Sequence, residues 1–125
     1  MYPSKRKPLN KNDRKVVFEK YNGHCAYCGC DITMQNMQVD HLIPMKLYEK
    51  YAEVGVDIDN MDNYMPSCRS CNHYKSSMTL DKFRSMISKM SDVLYRDSAT
   101  YRNAVRFGQV VPNKKPVVFY FETFK

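Results

Sequence analysis

The sequence predicts a small α+β protein, with two short strands and a helix stapled by zinc, an N-terminal helix and a helical C-terminal extension. Three observations lead there. Two CxxC pairs, Cys25-Ala26-Tyr27-Cys28 and Cys68-Arg69-Ser70-Cys71, bracket a stretch with strand character. Within it, Met37, Val39 and His41 share one parity, and Tyr64-Met65-Pro66 reads as a return strand. Beyond it, Leu80, Phe83, Ile87, Met90 and Leu94 recur at three- and four-residue steps, the mark of a helix with one apolar face. A chain of 125 residues is one domain's worth, so residues 1–125 are expected to form a single domain. Its parts are a basic arm at 1–11, a core at 12–78 and an extension at 79–125 that ends in a short strand.

The elements follow in order. Asn12 is the expected cap of a helix to Tyr21, with Val17, Phe18 and Tyr21 on one side and Gly23 as its end. Met34 to His41 is the first strand, broken by Pro44. Lys46 to Val54 forms a short helix stopped by Gly55. An Asp/Asn-rich loop, 56–63, leads to the return strand, which Pro66 confines to an edge or an end. A helix begins near Cys71, a second runs from 80 to 95 behind Thr79, and a third spans 98–107 before Gly108. Val117 to Phe121 is a short apolar β run.

The net charge of +7 is unevenly spread. Residues 1–24 hold 7 basic and 2 acidic side chains, residues 25–78 hold 4 and 7, and residues 79–125 hold 9 and 4. Basic flanks around an acidic centre suit a polyanion that is gripped at both ends and needs a cation to approach the middle. The bland alternative is a solvated surface, and charge alone does not choose between them. The first residues lack the apolar run of a secretory signal, and no stretch approaches the ~20 apolar residues of a membrane span. The expectation is a cytoplasmic protein without a membrane partner. In a reducing compartment, paired cysteines bind metal more often than they form disulfides.

Two residues between thiolates let one tight turn present both to a single tetrahedral ion, and two such turns complete the shell. Cys25, Cys28, Cys68 and Cys71 are therefore the expected zinc ligands, with 39 residues between the pairs. Cys30 is the odd thiol, and His24 and His73 adjoin cysteines as weaker substitutes. The metal's binding free energy adds directly to the stability of so small a domain.

Cys25-x-Tyr27-Cys28, then Asp40-His41-Leu42-Ile43-Pro44, then Asp62-Asn63-Tyr64-Met65-Pro66-Ser67-Cys68-Arg69-Ser70-Cys71-Asn72-His73-Tyr74-Lys75 together resemble an HNH nuclease of the branch with two CxxC pairs. The resemblance covers roughly residues 14–78. It implies a ββα-metal fold and metal-dependent cleavage of DNA to 5′-phosphate and 3′-hydroxyl ends. It implies His41 as general base, Asp40 and Asn72 as ligands of a catalytic Mg2+ or Mn2+, and Asn63 as the residue that orients His41. Asn72 stands where the family often has His, which makes this an H-N-N variant.

Their chemistry agrees with those roles. Phosphodiester hydrolysis needs a deprotonated water, relief of charge on the phosphoryl group and help for the leaving oxygen. An imidazole suits the first, and a hard divalent ion on oxygen donors suits the others. The alternatives at this level are Asn60 for Asn63, and His73 for Asn72. Adjacent strand residues point to opposite faces, so Asp40 and His41 share a site only if the strand ends there. Asn72 and Lys75, three apart, share a helix face, which would bring Lys75 to a phosphate beside the scissile one. Arg69, Lys82 and Arg84 are further candidates for the nucleic-acid backbone, although a solvated helical face explains Lys82 and Arg84 equally well. Double-stranded DNA is the expected partner, and cutting both strands calls for two sites, as in a homodimer, or for successive nicks. The rival reading is a non-catalytic zinc-bound nucleic-acid-binding module, which leaves Asp40-His41 without a role.

Overall fold

The computed structural model describes residues 8–124. Residues 1–7, most of the expected basic arm, lie outside the described residues, as does Lys125. The chain packs as two compact units. The first runs to Leu80 and regains the chain at Val118, and the second is Asp81–Val117.

The first unit opens with α1 (Lys11–Glu19). Its cap is Asn10, not Asn12: the Asn10 side-chain oxygen accepts the Asp13 N–H at 2.8 Å. Both asparagines can cap, and the point where the chain enters the helix chooses between them. Val17 is fully buried on the inner face. Past the helix end, the Lys20 ammonium donates to the carbonyls of Met61 and Tyr64, tying α1 to the return strand. Burial pulls its pKa down, and Asp62 opposes that shift.

The first CxxC follows as a knuckle. The Cys25 N–H donates to Cys30 O at 2.8 Å and the Gly29 N–H to Cys25 O at 2.9 Å. Gly29 sits at φ +80°, and a Cβ there would lie 2.8 Å from the Tyr120 ring, so both backbone and space require glycine.

The first strand is shorter than expected. Thr33 and Asn36 exchange side-chain bonds across a turn that Arg14 clamps through the Met34 and Met37 carbonyls. Only Gln38–His41 remains for β1. It pairs antiparallel with β2 (Tyr64–Ser67), from Gln38 opposite Ser67 to His41 opposite Tyr64. Pro66 is tolerated because both strands of a two-stranded sheet are edges. Its carbonyl accepts the Ala26 N–H at 2.8 Å, joining knuckle to hairpin.

The expected Lys46–Val54 helix is a 3-10 turn (Met45–Leu47) running into α2 (Tyr48–Ala52), with Gly55 at φ +79° just after it. A second 3-10 turn, Met61–Asn63, leads into β2. Then α3 (Arg69–Lys75) starts two residues before the expected point, capped by Cys68, whose sulfur accepts the Cys71 N–H. Strand, strand and helix form the ββα core.

The tail forms no strand among the described residues. Its Tyr120 and Phe121 N–H groups donate to Tyr27 O and Ala26 O at 3.0 and 2.8 Å. Consecutive N–H groups on consecutive carbonyls cannot continue as a ladder, and the chain turns into a 3-10 segment, Tyr120–Thr123. Phe119 is buried, its ring edge-on to Tyr27 at 5.6 Å.

The second unit holds α4 (Leu80–Ser88), α5 (Met90–Asp97) and α6 (Ala99–Arg106). The helix expected over 80–95 is thus two. The Ser88 hydroxyl donates back to Ser85 O at 2.7 Å, a local bond that competes with the helical ladder where it breaks. Ser98 caps α6, and Arg102 donates to the Tyr95 and Arg96 carbonyls, closing the end of α5. No helix among the described residues is long and apolar enough to cross a membrane.

Candidate active site and metal centre

Two sites of different chemistry lie in the first unit. In one, the ligand sulfurs of Cys25, Cys28, Cys68 and Cys71 all fall within 4.8 Å of one another. A tetrahedron with Zn–S bonds of ~2.3 Å has edges of about 3.8 Å. The Cys28–Cys68 separation is 3.8 Å. A hydrogen bond from Cys71 pulls the Cys25 thiol down to about 4, and the same bond pushes Cys71 up. One thiolate thus opposes ionisation of the next, and a divalent cation relieves that conflict. The donor set fits structural zinc. Cys30 is exposed and is not one of the four, although its thiol lies against those of Cys28 and Cys68, while His24 and His73 stand outside the cluster.

The other site is a hollow of about 390 Å3 lined by Asp40, His41, Met45, Asn72 and neighbouring residues. The geometric requirement on Asp40 and His41 is met because β1 ends at His41, the last rung of the ladder. The two side chains are held separately. Asp40 Oδ2 accepts from the Tyr27 hydroxyl at 2.5 Å and pairs with the Lys75 ammonium at 2.9 Å. Both donors fall on one oxygen, and Asp40 is among the residues that line the hollow. Burial first, and then the Asp40 carboxylate, push the Tyr27 phenol up, so it stays a donor. His41 Nε2 lies 2.9 Å from Asp59 Oδ1, and its ring stands edge-on to Tyr64 at 5.2 Å.

Asn63 does not bond the His41 ring. Its amide N–H groups donate to Ile43 O and Ile58 O, and its oxygen accepts the Ile43 N–H. With the Leu42 N–H on Asn63 O, it holds the backbone just past His41. Asn60 instead caps the 3-10 turn, accepting the Asp62 N–H, so the structure puts Asn63 and not Asn60 beside the strand end. Asn72 lines the hollow on α3, while His73 is exposed and faces Tyr74.

Lys75 requires a correction. It is fully buried, and its ammonium is divided between the Asp40 carboxylate and His41 O at 2.8 Å. The face shared with Asn72 points at the hairpin, so Lys75 is an internal counter-charge and cannot reach a phosphate at the surface. Arg69 is exposed at the start of α3. Lys82 and Arg84 lie on α4, Lys82 exposed and Arg84 donating to Val117 O at 2.6 Å.

Two participants escape sequence reasoning. Asp59 is one of several acids in a polar loop, and nothing in its spacing marks it. Tyr27 carries the one available signal, a tyrosine inside a CxxC pair, without an indication of what its hydroxyl meets.

Residues 25–77 match the family model described as HNH endonuclease. The match covers 53 of the 125 residues. The matched segment begins at the first zinc knuckle and includes β1, β2 and α3. The four-cysteine corner and the hollow, with Asp40, His41, Asn63 and Asn72, therefore both lie inside the matched segment, and the match supports a nuclease type of function. No curated protein matches the chain.

Proposed function

We propose that this protein is a metal-dependent endonuclease that hydrolyses phosphodiester bonds in DNA, double-stranded DNA first among its substrates. One observation carries the reading: Asp40, His41 and Asn72 share one hollow, at the end of the hairpin where the chain leaves β1. The donors there, a carboxylate oxygen and an amide oxygen, suit a hard ion such as Mg2+ or Mn2+. When bound, such an ion relieves charge on the phosphoryl oxygens and on the departing 3′-oxygen.

The chain's own groups supply the rest. His41 takes the proton of the attacking water. Tyr27 and Lys75 hold Oδ2 of Asp40, so the carboxylate offers its other oxygen in a set direction. Asn63 braces the backbone that follows His41. Basic side chains outside the hollow, Arg69 and Lys82 among them, meet the nucleic-acid backbone.

The test is cleavage of supercoiled plasmid with Mg2+ or Mn2+. His41→Ala should lose ~10²–10⁴-fold in rate while its DNA affinity and melting temperature stay close to wild type. Equal cutting by His41→Ala would refute the mechanism. DNA binding with no cutting by the wild-type chain in either metal would leave a zinc-bound nucleic-acid-binding module instead.

A further inference from the structure

We propose that Asp59 is the positioning residue of His41: its carboxylate holds the imidazole as the Nε2–H tautomer, which makes Nδ1 the nitrogen that can take a proton. The assignment of Nδ1 as the base rests on the nuclease reading; the Asp59–His41 pairing does not.

The geometry points one way. A carboxylate only accepts, so an Nε2 at 2.9 Å from Asp59 Oδ1 carries the hydrogen, and in a neutral ring the lone pair is then on Nδ1. The Tyr64 hydroxyl donates to the same Oδ1 at 2.8 Å. That second bond keeps the carboxylate turned toward the ring. The pair is sheltered, with 11 % of the His41 side chain and 25 % of the Asp59 side chain exposed.

The backbone under Asp59 is equally determined. Its N–H donates to Asp57 Oδ1 at 2.8 Å. Ile58, just before it, is buried, and the Ile58 carbonyl takes an Asn63 amide N–H at 2.8 Å. The other Asn63 amide hydrogen goes to Ile43 O, two residues past His41. Asn63 therefore ties together the two segments that carry the imidazole and its carboxylate. It acts at one remove, and Asp59 makes the contact. A base oriented by a third group that fixes its tautomer is a recurrent device in hydrolytic sites.

The test reads the tautomer directly. Zinc-loaded chain labelled with ¹⁵N at histidine is examined by long-range ¹H–¹⁵N NMR near ~pH 8, where an ordinary imidazole is neutral. His41→Ala identifies the signals. The wild type should show His41 as Nε2–H. Asp59→Ala should shift it toward a mixture with Nδ1–H and lower kcat on plasmid about 10–100-fold with KM unchanged. An Nδ1–H or doubly protonated ring in the wild type overturns the proposal, as does an Asp59→Ala protein with the wild-type tautomer or the wild-type rate. If Asp59→Ala does not fold, the wild-type spectrum still decides. If the wild type cuts no DNA, the nuclease reading fails while the tautomer still judges the pair.

Discussion

The sulfur corner and the oxygen-lined hollow sit in the same unit but are built in opposite ways. Each zinc knuckle is local: two cysteines three positions apart, closed by backbone bonds within a few residues. The hollow is assembled from distance. Asp40 on β1 is held by Tyr27 from the first knuckle and by Lys75 from the end of α3, and His41 is held by Asp59 from the loop before β2. A local site depends on spacing, whereas an assembled site depends on everything that brings its parts together. Tyr27 links the two, since it lies inside a CxxC pair and ends on the carboxylate at the hollow.

The sharpest way to break this comparison is to remove the sulfur-ligated ion. Structural zinc contributes ~10–16 kcal/mol in small domains, so Cys68→Ser or a zinc-selective chelator should unfold the first unit, seen as lost circular dichroism. Withholding Mg2+ should leave the fold untouched. A folded, zinc-free protein would show that the knuckles are not the staple.

Lys75→Met tests the assembled site next. It strands a buried carboxylate and should cost about 3–5 kcal/mol in urea-monitored stability. A loss near zero would show that Asp40 is solvated and not held by its neighbours. Gly29→Ala tests the join between knuckle and tail with a smaller effect. The left-handed backbone alone should cost about 1–2 kcal/mol, with the Tyr120 contact adding to it. Asn10→Ala, remote from both sites, should remove ~1 kcal/mol through the lost cap and leave plasmid cleavage unchanged. Equal stability in that variant would return the cap to Asn12.

The same contrast accounts for what can be seen in the chain before it folds. The zinc ligands, the hairpin with Pro66 in its second strand, and Asp40, His41 and Asn72 are carried by intervals along the sequence. Lys75 shows where intervals stop. Its helical phase relative to Asn72 is sound, but phase alone does not say whether that face meets solvent or the hairpin. The break at Lys89 is hidden for a related reason, because the apolar stripe runs on across a backbone that a serine side chain interrupts. The tail reads as a strand because its residues favour one, and the acceptors it meets on the knuckle are consecutive carbonyls.

By itself the sequence determines the two thiolate pairs, because a tight turn is set by residues close along the chain, and its resemblance to the HNH pattern singles out an acid, an imidazole and an amide. Only the tertiary structure decides that Lys75 neutralises Asp40, that Asp59 meets His41, and that Asn63 braces the backbone around both. The two side-chain pairs join residues 18 and 35 positions apart, and such pairings exist only once the hairpin, the loop and the helix have packed.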